Sequence, residues 1–355
     1  MTTPKGLPRY DRSRDYEWNY THAPAPVERD LPPVPGRWQY CGLDVESPLG
    51  IPAGPLLNGR WCLYYASLGF DVVTYKTVRS GERSCYPLPN LQPISSNQLY
   101  GGEQDLPTSS NMEGSWAVSF GMPSRAPDIW RQDIEQTRQE LPTGKILSVS
   151  VVGTIEPGWQ IDQLAGDYAR CAKWALESGA DTIEANFSCP NVSTCDGQLY
   201  QNPESARRVA QELRAAIGSK PLIVKIGRMT ELDQASLLLD ALNGIVNALA
   251  MTNSIATTVR DSRGDYLFDG QPRGICGDAI RDASIAQTRD VASLLGESPN
   301  MQLIGVGGIS DASHVQDYLN AGAHAVQLAS APMVDPEIGI RIRKQLAGVA
   351  GSPSS

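Results

Sequence analysis

The sequence predicts an α/β protein: a (β/α)8 TIM barrel with an N-terminal arm and hairpin and a long insertion after its second strand. Two observations predict this class. Short apolar runs of buried-strand type alternate eight times with helix-length segments, within one domain of about 300 residues. An open, doubly wound sheet would place a glycine-rich phosphate turn after its first strand, and Gly54-Pro55-Leu56-Leu57-Asn58-Gly59 does not match that fingerprint.

The elements follow in order. Residues 1–36 carry several prolines and mixed charges without periodicity, which reads as an extended arm laid on the surface or left loose. Trp18, Tyr20 and Trp38 suggest that part of it packs. Residues 38–50 read as a short hairpin turning near Gly42 or Pro48. The first strand is placed at 51–54, a short helix at 61–69, and the second strand at 71–77. The insertion, 78 to about 127, is rich in Ser, Asn, Pro and Gly; insertions of that length in a compact domain usually serve as lids or substrate loops. A polar helix at 128–141 leads to the third strand, 146–153, and then a helix at 159–178. The fourth strand, 181–186, runs towards Pro190.

Asn202, Pro203 and Glu204 supply an N-cap, a proline at the first helical position and an acidic first turn for helix 203–217, which Gly218 closes. The fifth strand is 222–227, followed by a helix capped by Thr230 and running to about 242. The sixth is 248–254, followed by a long Gly/Asp/Arg loop to Gly277 and a helix near 279–296. The seventh is 302–308, with helix 313–320 ended by Gly322. The eighth is 325–330, after which Asp335-Pro336 caps a last amphipathic helix. The expected organisation is an arm over 1–36, one barrel domain over 37–350 and a tail over 351–355.

Composition excludes several function classes. The formal net charge is -9 and no Lys/Arg-rich run occurs, so no nucleic-acid surface is expected. The seven cysteines are scattered without a CxxC pair, which supports neither a zinc ribbon nor an iron–sulfur cluster, and no metal is expected. No secretory h-region and no apolar run of membrane-spanning length are visible, so we expect no membrane association and a reduced, cytoplasmic location.

The chemistry concentrates in residues 184–191, Glu-Ala-Asn-Phe-Ser-Cys-Pro-Asn. This segment ends the fourth strand at the barrel face where catalytic residues gather. Asn186 and Asn191 offer paired donors and acceptors suited to a planar amide or imide. Between them, Cys189 has acid/base or nucleophile chemistry if its surroundings tune it; otherwise it is a small buried hydrophobe. Asn253-Ser254 adds a third carboxamide at the end of the sixth strand. Gly307-Gly308 and Ser330-Ala331, after strands seven and eight, lie where such barrels commonly hold a phosphate, and residues 274–277 can close a third side. Lys76 and Lys225 sit at strand ends. Each is either paired structurally, to Glu184 or Asp71, or held as a cation beside a cofactor that accumulates negative charge.

Together, Asn-Phe-Ser-Cys-Pro-Asn, Val-Lys-Ile-Gly, Met-Thr-Asn-Ser, Gly-Val-Gly-Gly-Ile and Tyr-Lys-Thr resemble the dihydroorotate dehydrogenase family, FMN-dependent α/β barrels, over about residues 38–350. The resemblance implies that Cys189 removes the C5 proton of a dihydropyrimidine while FMN accepts the C6 hydride. It implies that Asn186, Asn191, Asn253, Ser254 and Lys76 hold the substrate ring. Ala53 and Gly54 would line the flavin by backbone, with Lys76, Thr77, Asn186, Lys225 and Asn253 against it. Gly277, Gly307, Gly308, Ser330 and Ala331 would surround its phosphate. A cysteine base resembles the soluble class, which implies a homodimer; the electron acceptor stays open between fumarate, a partner subunit passing electrons to NAD, and another oxidant.

One position departs from the pattern. Val118 stands where soluble members carry a substrate-binding asparagine, and Ser119, Arg125 and Asn111 are the candidates to replace it. The alternatives are therefore a related dihydropyrimidine (dihydrouracil-type) dehydrogenase, or a subunit that binds FMN without turnover. A tRNA-dihydrouridine synthase is disfavoured by the acidic charge and by Ser188 at that family's glycine position.

Overall fold

Eight parallel strands close into a barrel in the order of the sequence: Leu49–Ile51, Val72–Val78, Ile146–Val151, Thr182–Asn186, Leu222–Lys225, Ala248–Met251, Gln302–Val306 and Ala325–Gln327. The eighth returns to the first, with Val326 opposite Leu49 and Gln327 opposite Gly50. This computed structural model describes residues 6–96, 98–112, 114–188, 195–296 and 301–349. The strands are almost wholly buried because helices cover the outside and side chains fill the inside. Val72, Ile146, Ile223, Ala248, Ala250, Ile304 and Ala325 form the inner packing. Tyr40, from the hairpin Trp38–Tyr40/Leu43–Val45, packs among them. The hairpin turns at Cys41 and Gly42, whose φ values of 53° and 84° suit a tight two-residue connection.

Several barrel strands stop short of their apolar runs. The first ends at Ile51, before Pro52, which has no N–H to give the ladder, and the eighth ends at Gln327. Beyond those points the backbone leaves the sheet to build the mouth of the barrel. Helix Pro203–Ile217 begins as its sequence dictates, with Asn202 accepting a hydrogen bond from Ser205 N at 3.0 Å. Thr230 does not cap the next helix. That helix spans Leu232–Leu242, with Glu231 in the cap position and making no side-chain cap bond.

The insertion and the loop after strand six are not irregular. Leu91–Pro93 and Ser115–Val118 pair antiparallel with each other, and Ser115–Val118 pairs with Arg273–Gly277, which also takes up Ile255–Thr257. This four-stranded sheet stands over the barrel mouth. Leu106–Pro107 adds a short parallel pair with Val259–Arg260.

Over its described residues, from 6 onward, the arm is packed rather than loose. It contains helix Tyr16–Thr21, capped by Asp15, and buries Tyr10 and Tyr16. Trp61 Nε1 donates to Asn19 O at 3.1 Å, Asn58 Nδ2 to Tyr20 O at 2.8 Å, and Tyr64 Oη to Pro8 O at 2.6 Å. Among the described residues, no helix is long and apolar enough to cross a membrane.

Candidate active site

A cavity of about 340 Å3 lies between the C-terminal strand ends and the antiparallel sheet, a size in the range of small-molecule sites. Its barrel side is built by strand alternation. On the fourth strand Glu184 and Asn186 point inward, and the fifth strand pairs Ile223 with Glu184 and Lys225 with Asn186. Lys225, which lines the cavity, therefore reaches Glu184: its Nζ lies 2.7 Å from Oε1, both side chains being almost fully buried. The other carboxylate oxygen, Oε2, is buried without a hydrogen-bond partner among the described residues.

A second wall has almost no side chains. Gly277, Gly307, Gly308, Ser330 and Ala331 all line it. At Gly308, φ is +65° and an added Cβ would stand 2.6 Å from Arg281 Cβ and 2.9 Å from Gly277 O. Only glycine fits there, and the backbone stays open to a ligand. Arg281 braces this wall by donating to Asp278 Oδ1 at 2.9 Å and to Gly308 O at 3.3 Å. Burial pushes the Asp278 carboxyl above its ordinary value, with Arg281 opposing.

Gly54, Asn253 and Ser254 line the same cavity. Asn253 Nδ2 donates to Ser188 O at 2.8 Å, while Asn186 Oδ1 accepts from Ser188 N at 3.1 Å. Two of the three carboxamides thus grip the residue before Cys189. Cys189 and Asn191 themselves lie outside the described residues. Ala53 is buried beside Gly54, and Thr77 donates to Ser150 Oγ at 3.0 Å. Lys76 does not pair with Asp71, whose carboxylate meets Lys145 and Arg343; its Nζ lies 4.9 Å from the Phe120 ring centroid. Ala53, Lys76, Thr77 and Asn186 are not among the lining residues, although Phe120 is.

The sequence reasoning missed most of the sheet wall: Leu91, Met112, Trp116, Phe120 and Met333. One signal was legible, because Trp116, Val118 and Phe120 alternate at the period of a strand that shows one face to the cavity. Val118 is half-buried on that face, opposite Gly274 and Leu91. None of its candidate replacements lines the cavity. Arg125 pairs with Glu17 and lies over the Tyr20 ring, Ser119 Oγ accepts from Arg273 Nε at 2.8 Å, and Asn111 is exposed. Cys276 also lines it, but burial pushes that thiol up to about 12 despite the ammonium of Lys225 nearby. A thiol so held gives up its proton less readily than an ordinary cysteine. Among the described residues, no group of His, Cys, Asp and Glu has the makings of a metal site.

Fold and site define a barrel enzyme whose mouth sets a buried ammonium beside an open backbone cradle. The chain matches the family model for dihydroorotate dehydrogenase over residues 37–349 and belongs to that family of oxidoreductases. It is 31% identical to the dihydroorotate dehydrogenase of Dictyostelium discoideum, over 96% of this chain and 98% of that protein. It is 28% identical to the catalytic subunit of dihydroorotate dehydrogenase B (NAD(+)) from Methanocaldococcus jannaschii, over 82% and 85% of the two chains. With the dihydroorotate dehydrogenase (quinone) of Neisseria gonorrhoeae it shares 25% identity over 82% and 81%.

Proposed function

We propose that this protein oxidises dihydroorotate to orotate, a step of pyrimidine biosynthesis, using bound FMN. The observation that carries this reading is the cavity in which Lys225, Asn253 and Ser254 converge with the glycine cradle, in a chain of this family. The cradle favours an FMN phosphate reading: a Cβ at Gly308 would collide, and Gly277, Gly307, Ser330 and Ala331, all small, line the same wall. FMN, when bound, supplies the acceptor for the hydride leaving C6 of the substrate.

The chain's own residues do the rest. Cys189 takes the C5 proton. Asn186, Asn191, Asn253 and Ser254 hold the ring in plane through its amide edges. Lys76 would meet both substrate and flavin from beside Phe120, and Lys225 would contribute fixed positive charge where electron density accumulates. Gly54 lines the cavity and, with Ala53 and Thr77 behind it, would complete the flavin wall. The sheet over the mouth excludes water from the reacting carbons.

We place the enzyme in the cytoplasm as a homodimer, with fumarate or an NAD-linked partner subunit as oxidant. Reoxidation of the reduced protein by fumarate, by quinones and by NAD, each tried alone, separates the acceptors. Sedimentation tests the dimer.

Val118 favours a second reading, a dehydrogenase of dihydrouracil type. Among the described residues, no carboxamide of the 78–127 insertion lines the cavity. Anaerobic addition of dihydroorotate and of dihydrouracil to the purified protein decides between them. Bleaching of a yellow protein by dihydroorotate supports the first reading, and bleaching by dihydrouracil alone supports the second. Bound flavin that neither substrate bleaches would instead mark a non-catalytic FMN-binding subunit.

A further inference from the structure

The N-terminal arm meets the cavity wall through one aromatic ring. Tyr10 and Tyr16 are 7% and 5% exposed, and both pack against Phe120 in T-shaped contacts. The centroids lie 5.9 Å apart at 86° for Tyr10 and 6.2 Å apart at 70° for Tyr16. Phe120 lines the cavity and carries the Lys76 ammonium over its ring. T-shaped contacts fix the tilt of a ring, and a cation follows the ring face to which it is drawn. The arm is itself anchored near this point, since Glu17 pairs with Arg125 and the Arg125 guanidinium lies 4.4 Å over Tyr20. The Tyr10 hydroxyl is buried without a hydrogen-bond partner among the described residues. The ring, not the hydroxyl, is what this position uses.

We infer that Tyr10 and Tyr16 are positioning residues: they set the tilt of the cavity-lining Phe120 and, through it, the place of the Lys76 ammonium held over that ring. The arm is then a working part of the site. This rests on the reading of Lys76 as a substrate and flavin contact.

The test uses the full-length, flavin-loaded protein. Its readouts are the Kd of orotate, followed by the absorbance change of the bound flavin, and the flavin midpoint potential. Tyr10→Leu is expected to weaken orotate about fivefold, Phe120→Leu about tenfold, and Tyr10→Phe not at all, in line with the modest strength of cation–π and aromatic pairs. In a Lys76→Met background, Tyr10→Leu is expected to have no further effect on Kd, because the tyrosine acts through the lysine. A Tyr10→Leu protein that melts earlier but binds orotate at the parental Kd overturns the inference, and so does full additivity with Lys76→Met. If Tyr10→Leu does not fold, Phe120→Leu in the same two backgrounds gives the same decision. Should Lys76→Met itself move neither Kd nor potential, the reading of Lys76 fails and the positioning role falls with it. Should Lys76→Met move both while Tyr10→Leu and Phe120→Leu move neither, only the positioning role fails.

Discussion

Replacing Glu184 by Gln keeps the shape of the inward side chain of the fourth strand and removes the charge that faces Lys225. The two side chains are 0% and 4% exposed and 2.7 Å apart, so water screens the pair little. Neutralising one partner of a buried pair leaves the other uncompensated and typically costs about 3–5 kcal/mol. Replacing both partners by neutral groups of similar shape is often close to neutral. The Glu184→Gln protein is therefore expected to lose about 3 kcal/mol, Lys225→Met a similar amount, and the double variant much less than the sum. Equilibrium urea denaturation at pH 7, followed by tryptophan fluorescence, measures all four proteins, with unchanged m-values as the check that only stability has moved. Each protein is measured with and without added FMN, because Lys225 also lines the cavity. Single losses below about 1 kcal/mol, or losses that simply add, would refute the claim that this pair is a coupled buried unit.

Cys189→Ala is expected to keep its flavin while anaerobic reduction by substrate slows about 10²- to 10⁴-fold, the usual weight of a general base, as stopped-flow bleaching would register. Gly277→Ala places a Cβ 1.8 Å from Gly114 O at φ +93°; it should separate the sheet from the cradle, seen as purified protein with little bound flavin and a lower melting temperature. At high pH the Cys276 thiol, raised from 9.0 to about 12 by burial, keeps its proton in the folded state after the unfolded chain has lost it. Its stabilisation is full below pH 9 and is lost as pH rises towards 12, at up to about 1.4 kcal/mol per pH unit; urea midpoints between pH 8 and 10.5 should fall less steeply for Cys276→Ala. Val118→Asn puts a carboxamide on the cavity face of its strand, and a matched hydrogen bond of about 1 kcal/mol should lower the KM of dihydroorotate about fivefold. An unchanged KM for both dihydropyrimidines would mean that position 118 does not face the substrate.

What the sequence revealed divides along the length scale of the interactions. Buried parallel strands announce themselves as short apolar runs, and helix Pro203–Ile217 matched at both ends because Asn202, Pro203 and Gly218 act locally. The glycine cradle was legible for the same reason, since its residues close the turns after particular strands. Thr230 shows the limit. A threonine in the right neighbourhood is no cap unless the chain enters the helix there, and this helix begins at Leu232. The lysines show another limit. Pairing with Glu184 or Asp71 was foreseeable in kind, but barrel register gave Lys225 to Glu184, whereas Asp71 went to Arg343 and Lys145. The arm helix Tyr16–Thr21 has six residues, too few to display a period.

The sheet over the mouth was hidden because none of its pairings is local. Ser115–Val118 finds Arg273–Gly277 across most of the barrel sequence, and strands of three to five residues carry little signal by themselves. Yet this pairing decides which side chains face the cavity. Trp116, Val118 and Phe120 line the cavity, while Ala117 packs into the separate apolar cluster behind the sheet and Ser119 takes the hydrogen bond from Arg273. A slip of one residue would exchange the two sets, because successive side chains on a strand point to opposite faces. The cavity accordingly depends on two registers set independently. The barrel register places Lys225 and Glu184 on one side, and the antiparallel register places Val118 on the other. The barrel register is fixed by a core that fills the whole interior. The antiparallel register rests on few residues, so substitutions within residues 78–127 and 255–273 should reshape the sheet face of the cavity while leaving the glycine cradle intact.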